Sequence, residues 1–587
     1  MFRIAPLQPN IKNVAVIGDQ KSCALIDKTG TVNWYCLWRF DQPSLFSLLI
    51  DEKGGWWSID AEAKQFRHRY YRDDSAVLIT EFEVVNGSFT VTDFMPASDN
   101  ISGICRMVSP SPVAVEMTIY PKPDYSRTSP SFKFNKEKNI IWEDRFEFYI
   151  HASHSLHVSD DTIQMTIPPG EQGWCMLVDD KRALPHINLK NLQYELQYTL
   201  QYWNQIMSNI IYDGPYKEAF YQSYKAIQLV TYENSGGILA AATSSLPEML
   251  GGARNYDYRY VWLRDTAMNV SALVRAGSKG REAERFLDFL CAGRNTNKKD
   301  LFIPFYDLDH KPAPYETEIP GTGYKGSRPL RIGNNAGEQL QLDGQGNVLL
   351  AAKQIYNKNK EKPHWETVKK TASFLVKNWK QKDHGIWEEH VKEQFTSSKV
   401  LVAKSFEFLA AYADDEQQKR LWLDTAKEIR AFVTAHCLTS DGAYAVYAGS
   451  DAVDVTSALY AVWWYDAPDS PVMLKTIERI EKDYKSGELY HRHLIQSNSK
   501  DEGVFLAGCL WMAQYYVTAK NIDKAKTIID AVLNFSTDLG FLPEEGDVKT
   551  GEPLGNIPQT FVHASLMGVI LDYKEALDAT TSEQHQL

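Results

Sequence analysis

The sequence is poor in the features that would send it to a membrane, to nucleic acid or to an oxidising compartment. Its seven cysteines (Cys23, Cys36, Cys105, Cys175, Cys291, Cys437 and Cys509) are odd in number, scattered and free of any CxxC pair. That pattern excludes a disulfide framework and a zinc site and predicts reduced thiols. No uncharged apolar run is long enough to cross a bilayer, and the first nineteen residues contain no apolar stretch of signal-peptide length. The expected location is cytoplasmic. Basic residues are in deficit, 63 Lys+Arg against 75 Asp+Glu, for a net charge of −12. Nucleic acid and anionic membranes select basic surface, so neither is expected as a partner. Internal repeats and a P-loop are also missing. Histidines His390, His491, His493 and His563 follow no metal-ligand spacing. One GxGxxG match, Gly321 to Gly326, lacks the apolar strand before it and the helix after it that dinucleotide binding requires.

What is present is a soluble-protein composition, 44% hydrophobic and 24% charged over 587 residues, enough to bury a large core. Aromatic residues reach 12%, with 15 Trp and 31 Tyr. Rings of that kind fill cores and also stack on sugars.

The chain changes character near residue 190. Before it, short β-rich runs alternate with turns: AVLITEFEVV and SFTVTDFMP flank Asn86-Gly87, the dipeptide of a type I′ hairpin. Cys23 to Ile26 and Thr31 to Cys36 form a second expected hairpin. Further strands are expected at 113–120, 146–150, 162–167 and 174–178. This reads as an N-terminal antiparallel β-sandwich over 1–180. A helical linker, 181–214, follows, in which Leu192, Leu196, Leu200 and Trp203 share one helix face.

Twelve helices are then expected, near 215–234, 263–276, 280–293, 338–357, 364–381, 399–413, 416–436, 453–464, 469–485, 501–519, 521–536 and 557–579. Their connections alternate between a few residues and long segments rich in glycine and aromatics. Six hairpins in a ring, an (α/α)6 toroid over 215–580, would open every long loop onto one end. Long loops on a rigid scaffold usually carry function.

The chemistry collects in those loops. RNYDYRYVWLRD (254–265) places Arg264 and Asp265 beside Tyr258 and Trp262, hydrogen-bonding groups next to flat apolar faces, as sugar recognition requires. The same Arg/Asp pair would equally serve as a helix cap. GIWEE sets Glu388 and Glu389 after Trp387; a carboxyl beside an indole in a partly dry loop is suited to general-acid work. LPEEGD adds Glu544 and Glu545, with Asp547 beyond them. Two carboxylate loops at one rim meet the needs of glycosidic bond hydrolysis, one group protonating the leaving oxygen and the other activating water. Arg492 and Glu502 occupy a further loop. Asn334, Gln339 and Gln341 sit where the second long loop becomes a helix.

VIGDQKSCALIDKTGTVNWYCLWRFDQPSLF, YDYRYVWLRD, IGNNAGEQLQLD, GIWEE and LPEEGDVKTGEPLGNIPQ resemble, in order and nearly end to end, motifs of glycoside hydrolase family 15, the glucoamylase and trehalase family. The resemblance implies a β-sandwich before an (α/α)6 barrel and an inverting, exo-acting α-glucosidase that releases β-glucose from an α-linked non-reducing end. Its substrate would be an α-linked glucose oligosaccharide or polysaccharide, with trehalose as the alternative. By motif, Glu388 would be the general acid, Glu544 the general base, and Glu389 a substrate contact. Asp265 with Arg264, assisted by Arg492, would hold the terminal glucose, with Tyr258, Trp262 and Trp387 around it. Two positions depart from the family pattern: His493 and Gln345 stand where Tyr is usual. No organic cofactor and no metal is expected, and oligomeric state is left open. A phosphorylase of similar architecture would need only one catalytic carboxyl, so Glu544 argues against it. A non-catalytic sugar-binding protein would need neither carboxyl.

Overall fold

A computed structural model of the protein describes residues 6–296 and 301–584. Among these, β-structure fills the chain up to Val178 and helices dominate from Leu189 onward. Two eight-stranded antiparallel sheets face each other. In the first, Ala15–Gly18, Cys23–Ile26, Val32–Cys36, Trp56–Ala61, Val115–Tyr120, Thr162–Ile167 and Leu156–Ser159 lie side by side, with Ser44–Phe46 paired to Val32–Cys36. The second runs from Lys133–Asn135 through Gly173–Val178 and Gly103–Val108 to Gln65–Tyr71 at its edge. Trp57, Phe82, Phe89, Ile104 and Ile150 fill the space between them. Arg106, wholly buried, crosses that space: it pairs with Asp93 at 2.7 Å and donates to the carbonyls of Trp57 and Gly30 in the opposite layer.

The expected hairpin at Asn86 forms, but its turn is one residue earlier than the dipeptide suggests. Val84 pairs with Gly87, leaving Val85 and Asn86 at the tip. Of these two only Asn86 has a positive φ, 66°, so the turn is not type I′, which needs both.

The helices are α1 (Leu189–Met207), α2 (Lys217–Leu229), α3 (Arg264–Arg275), α4 (Glu282–Thr296), α5 (Leu342–Asn359), α6 (Trp365–Asn378) and α7 (Thr396–Leu409). They continue as α8 (Glu416–His436), α9 (Ala458–Val462), α10 (Pro471–Asp483), α11 (Leu506–Thr518), α12 (Ile522–Leu533) and α13 (Thr560–Gln584). Helix α1 lays Leu192, Leu196 and Leu200 on Phe94, Met107 and Met176 at the outer face of the second sheet. Among the other helices, α7 packs on α5, α5 on α3, α3 on α13, α13 on α11 and α11 on α9. Five even-numbered helices lie outside them, α4 and α6 against α5, α8 against α7, α12 against α11 and α2 against α13. This is the expected toroid. Each long connection leads into the N-terminus of an inner helix, so all of them gather at one end.

Helix α9 is shorter than the 453–464 the pattern suggests. Asp454 caps a 3-10 turn at Val455–Ser457 by accepting from the Thr456 amide, and Trp464 adopts a left-handed φ of 56° that stops the helix. Helix α5 likewise starts late, because Asn334 caps its own short turn at Asn335–Glu338 and leaves Gln339 and Gln341 in the loop.

The first sheet packs against the loop end of the toroid. Trp34 donates its indole N–H to the carbonyl of Ala242, and Arg259, fully buried, reaches the Tyr125 hydroxyl at 2.7 Å and the Gln42 carbonyl at 2.9 Å. The loops that build the site are therefore held from both sides. The Gly321 to Gly326 segment belongs to this junction: Thr322 donates to Asp51 through its amide and hydroxyl. All seven cysteines are free and buried.

Candidate active site

The long loops enclose a cavity of about 270 Å³. The segment 254–265 crosses its wall, alternating sides as an extended chain must. Tyr258 lines the cavity, whereas Asp257 and Arg259 turn toward the β-sandwich and pair with each other. Val261–Trp262 pairs with Phe305–Tyr306, and the Trp262 ring stacks on Phe305 at 4.4 Å. The chain then turns into α3. Asp265 is the second residue of that helix and caps nothing: the helix begins after Leu263 without a side-chain cap. Its carboxyl is instead buried at the cavity floor, 3.5 Å from the Arg264 guanidinium, with Oδ1 accepting no hydrogen bond. Burial, reinforced by Glu388 and opposed by Arg264, pushes the Asp265 carboxyl up to about 6.

Glu388 sits at a left-handed φ of 58°, a conformation fixed by the tight turn after Gly385. Its Oε1 accepts from the Trp262 indole at 2.7 Å and from Arg264 at 3.0 Å, and Gln339 holds its carbonyl at 3.0 Å. The indole that meets Glu388 is thus that of Trp262. The neighbouring Trp387 points the other way, donating to Asp454 at 3.0 Å and stacking on Trp511, while still lining the cavity. Glu389 lines the cavity and accepts from the Ile495 amide at 2.9 Å.

Glu544 faces the same cavity from the opposite loop. Its Oε1 accepts from the Tyr258 hydroxyl at 2.8 Å; Oε2 accepts from no protein group. Burial first, then repulsion from Glu248, pushes its carboxyl up to about 8, with Arg492 and Tyr258 pulling the other way. A side chain at Gly555 would collide with it, its Cβ falling 2.8 Å from that of Glu544, so the absence of one there makes room for the carboxyl. Glu545 does not line the cavity. It enters a three-stranded sheet between Val504–Phe505 and Glu552–Leu554, and strand alternation turns it away from its neighbour.

Arg492 lies between the rings of Trp387 and Phe505, 5.2 and 4.8 Å from their centroids. Glu502 and Glu248 hold its guanidinium at 2.7 and 2.9 Å. Arg254 and Gln559, at the ends of two of the motifs, also line it, as do Glu248 and Phe561, which carry no sequence signal: TSSLPEML, around Glu248, reads as an ordinary loop. The oxygens of Glu248, Glu502 and Glu545 approach within 4.8 Å of one another, a spacing open to a cation, but Arg492 and Arg254 already supply the positive charge there. The departing positions have structural work. His493 bonds Tyr484 through Nδ1, and Gln345 braces the Phe302 backbone at both its amide and its carbonyl.

The residues given roles by the motifs line this cavity or its wall: Tyr258, Trp262, Arg264, Asp265, Trp387, Glu388, Glu389, Arg492 and Glu544; Glu502, Glu545 and Asp547, also singled out, do not. Two carboxyls stand on separate loops, one under an indole N–H and a guanidinium, the other under a phenol, with its second oxygen buried toward Gly555 and accepting no hydrogen bond.

Comparison with known proteins agrees with this architecture. Residues 6–154 match the profile of the trehalase-like N-terminal domain. A trehalase of Thermoplasma volcanium is 29% identical, with 98% of this chain and 95% of the relative covered. Trehalase 1 of Sulfolobus acidocaldarius is 31% identical, with 96% and 99% covered. A crystal structure of a bacterial glucoamylase complexed with acarbose superposes with a TM-score of 0.72 over 97% of this chain and 94% of that one, at 13% identity, a likeness of fold. Residues 214–524 and 517–571, most of the toroid, match the profile of glycosyl hydrolases family 15, and the chain belongs to that family of O-glycoside hydrolases.

Proposed function

We propose that the protein hydrolyses α,α-trehalose with inversion at one anomeric carbon. The observation that carries the hydrolytic step is the arrangement of Glu388 and Glu544 on separate loops around one cavity, each carboxyl held by side-chain donors at one oxygen only. Glu388 protonates the glycosidic oxygen as the general acid. Glu544 takes a proton from the water that attacks the anomeric carbon on the other face. Asp265 and Arg264 bind hydroxyls of the glucose undergoing attack, and Arg492, clamped between two rings, bounds the same subsite. Glu389 and the faces of Trp387 and Tyr258 complete the sugar contacts. The motif resemblance places α-glucan and oligosaccharide ends first and trehalose second. Full-length relatives at 29–31% identity that are named trehalase support the reverse order.

The reading is tested by measuring kcat/KM of the purified protein on trehalose, maltose, isomaltose and maltotriose. It expects trehalose to lead by at least tenfold. A lead by maltotriose or isomaltose would return the protein to the glucoamylase side of the family, and phosphate-dependent release of glucose 1-phosphate would replace hydrolysis by phosphorolysis.

A further inference from the structure

Behind Glu544 lies a second, drier set of charges. Glu545 is fully buried, and neither of its carboxyl oxygens receives a hydrogen bond. Arg492 Nη2 comes within 3.4 Å of Oε1, yet that nitrogen makes its shorter contact, 2.9 Å, with Glu248. The other guanidinium contacts are taken up as well: Arg492 Nε by Glu502 at 2.7 Å, and Arg254 Nε by Glu248 at 2.6 Å and Glu502 at 3.1 Å. Glu248 and Glu502 are each held by both arginines. Glu545 is the carboxyl left over.

Three carboxylates and two guanidinium groups sum to one uncompensated negative charge in a cluster buried except at Arg254, an expensive arrangement unless a proton neutralises one of them. Of the three carboxyls, Glu248 and Glu502 are each paired with both arginines, so Glu545 is the one least able to hold a charge. Glu544 precedes it in the chain, just before the strand; Glu248, Arg254, Arg492 and Glu502 come from the surrounding loops; Cys509, from α11, has a thiol that burial pushes up to about 12, and so stays neutral.

We propose that Glu545 is a positioning residue that holds a proton and donates it in a hydrogen bond to Glu502 or Glu248, so that two anions face two guanidinium groups and Arg492 is fixed for sugar binding. One oxygen of each of the three carboxyls lies within 4.8 Å of the other two, so the carboxyls adjoin one another. Burial, with Glu502 and Glu248 adding to it and Arg492 opposing, raises the Glu545 carboxyl well above its ordinary range, in accord with this arrangement. A neutral Glu545 also spares Glu544 a full negative charge on the next residue, which would raise its proton affinity further and leave less of it ionised at neutral pH. The proposal rests on the roles given above to Arg492 and Glu544.

The test compares Glu545→Ala with Glu545→Gln, whose amide N–H can donate where the carboxyl O–H did. On trehalose, Glu545→Ala is expected to lose about tenfold or more in kcat/KM, mainly through KM, while Glu545→Gln recovers most of that loss and keeps the acid limb of the pH profile in place. On the resting protein at neutral pH, an infrared difference spectrum of wild type minus Glu545→Gln is expected to show the C=O band of a protonated carboxylic acid. Absence of that band overturns the proposal whether or not the protein cleaves trehalose. So does an acid limb displaced by about one pH unit in Glu545→Gln, or a loss in that variant as large as in Glu544→Gln, which would make Glu545 an ionised group of the reaction itself.

Discussion

Tyr258 and Trp262 meet edge to face, 5.7 Å between ring centroids, and each donates a hydrogen bond to a different carboxyl of the cavity. The phenol goes to Glu544 at 2.8 Å, the indole to Glu388 at 2.7 Å. One short segment thus fixes both groups proposed to exchange protons with the substrate, although they are separated by more than 150 residues in sequence. Each donor is separable from its ring. Tyr258→Phe and Trp262→Phe keep aromatic packing and lose the hydrogen bond, and each is expected to lower kcat/KM about tenfold, the worth of one bond to a charged group. They should differ in pH profile: Tyr258 lowers the Glu544 carboxyl, so Tyr258→Phe moves the acid limb upward. Profiles unchanged in both variants would reduce the pair to packing.

Replacing Glu388 by Gln removes the proposed proton donor without changing shape. On trehalose, whose leaving group is a sugar hydroxyl, the loss is expected to be about 10²–10⁴-fold. An α-glucoside with an acidic leaving group needs little protonation and should lose far less. Equal losses measured on the two substrates would remove Glu388 from the acid role.

Glu544 links the reaction to stability. Its carboxyl lies near 4.5 in an unfolded chain and about 8 in the fold. The folded state therefore keeps a proton that the unfolded chain releases, and the stability this confers is complete below pH 4.5 and lost as pH rises through about 8. Gln cannot ionise. Glu544→Gln is thus expected to abolish turnover, by about 10³-fold or more, while its melting temperature overtakes that of wild type as the pH rises above neutrality, by about 2 °C or more at pH 8.5. Thermal melts at pH 5 and pH 8.5 check the sign, and a variant no more stable at the higher pH would contradict the burial argument.

His563 acts in the opposite direction. It is wholly buried, accepts from the Leu542 amide at Nε2 (3.0 Å) and so carries its proton on Nδ1, next to the Ser223 hydroxyl at 3.0 Å. Burial pushes it down to about 3 from an ordinary 6.5. Its contribution is full above pH 6.5 and is lost as pH falls toward 3, because the unfolded chain takes up the proton first. Leu542 lies two residues before Glu544, so the bond also positions the base. His563→Leu is expected to cost about 1–3 kcal/mol at pH 7, where the Leu542 amide is left unpaired, and to flatten the loss of stability between pH 6.5 and pH 4. Chemical denaturation across that range measures both; a parallel loss in both proteins would place the acid sensitivity elsewhere.

The parts of this account legible in the sequence were those with a local signal. Amphipathic spacing marked the helices and the alternation of short and long connections marked the open end. Polar and aromatic residues crowded into RNYDYRYVWLRD, GIWEE and LPEEGD could not all belong to a core. Composition could not separate Tyr258, which faces the cavity, from Arg259, which ties the loop to the sandwich, because that division depends on the extended backbone between two bodies. Glu248 escaped notice because nothing around it is periodic or unusually polar; its role arises only where Arg254 and Arg492 converge on it. Strand Gln65–Tyr71 was missed for a related reason: at a sheet edge, with most of its side chains exposed, it lacks apolar alternation.

The central claim, acid–base hydrolysis of trehalose with inversion, is tested most directly by following the anomeric protons by NMR in the first minutes after mixing enzyme with trehalose. Inversion at one carbon, with the other glucose leaving unchanged, predicts equal initial amounts of α- and β-glucose before mutarotation. Initial α-glucose alone would mean retention and contradict the pairing of Glu388 with Glu544.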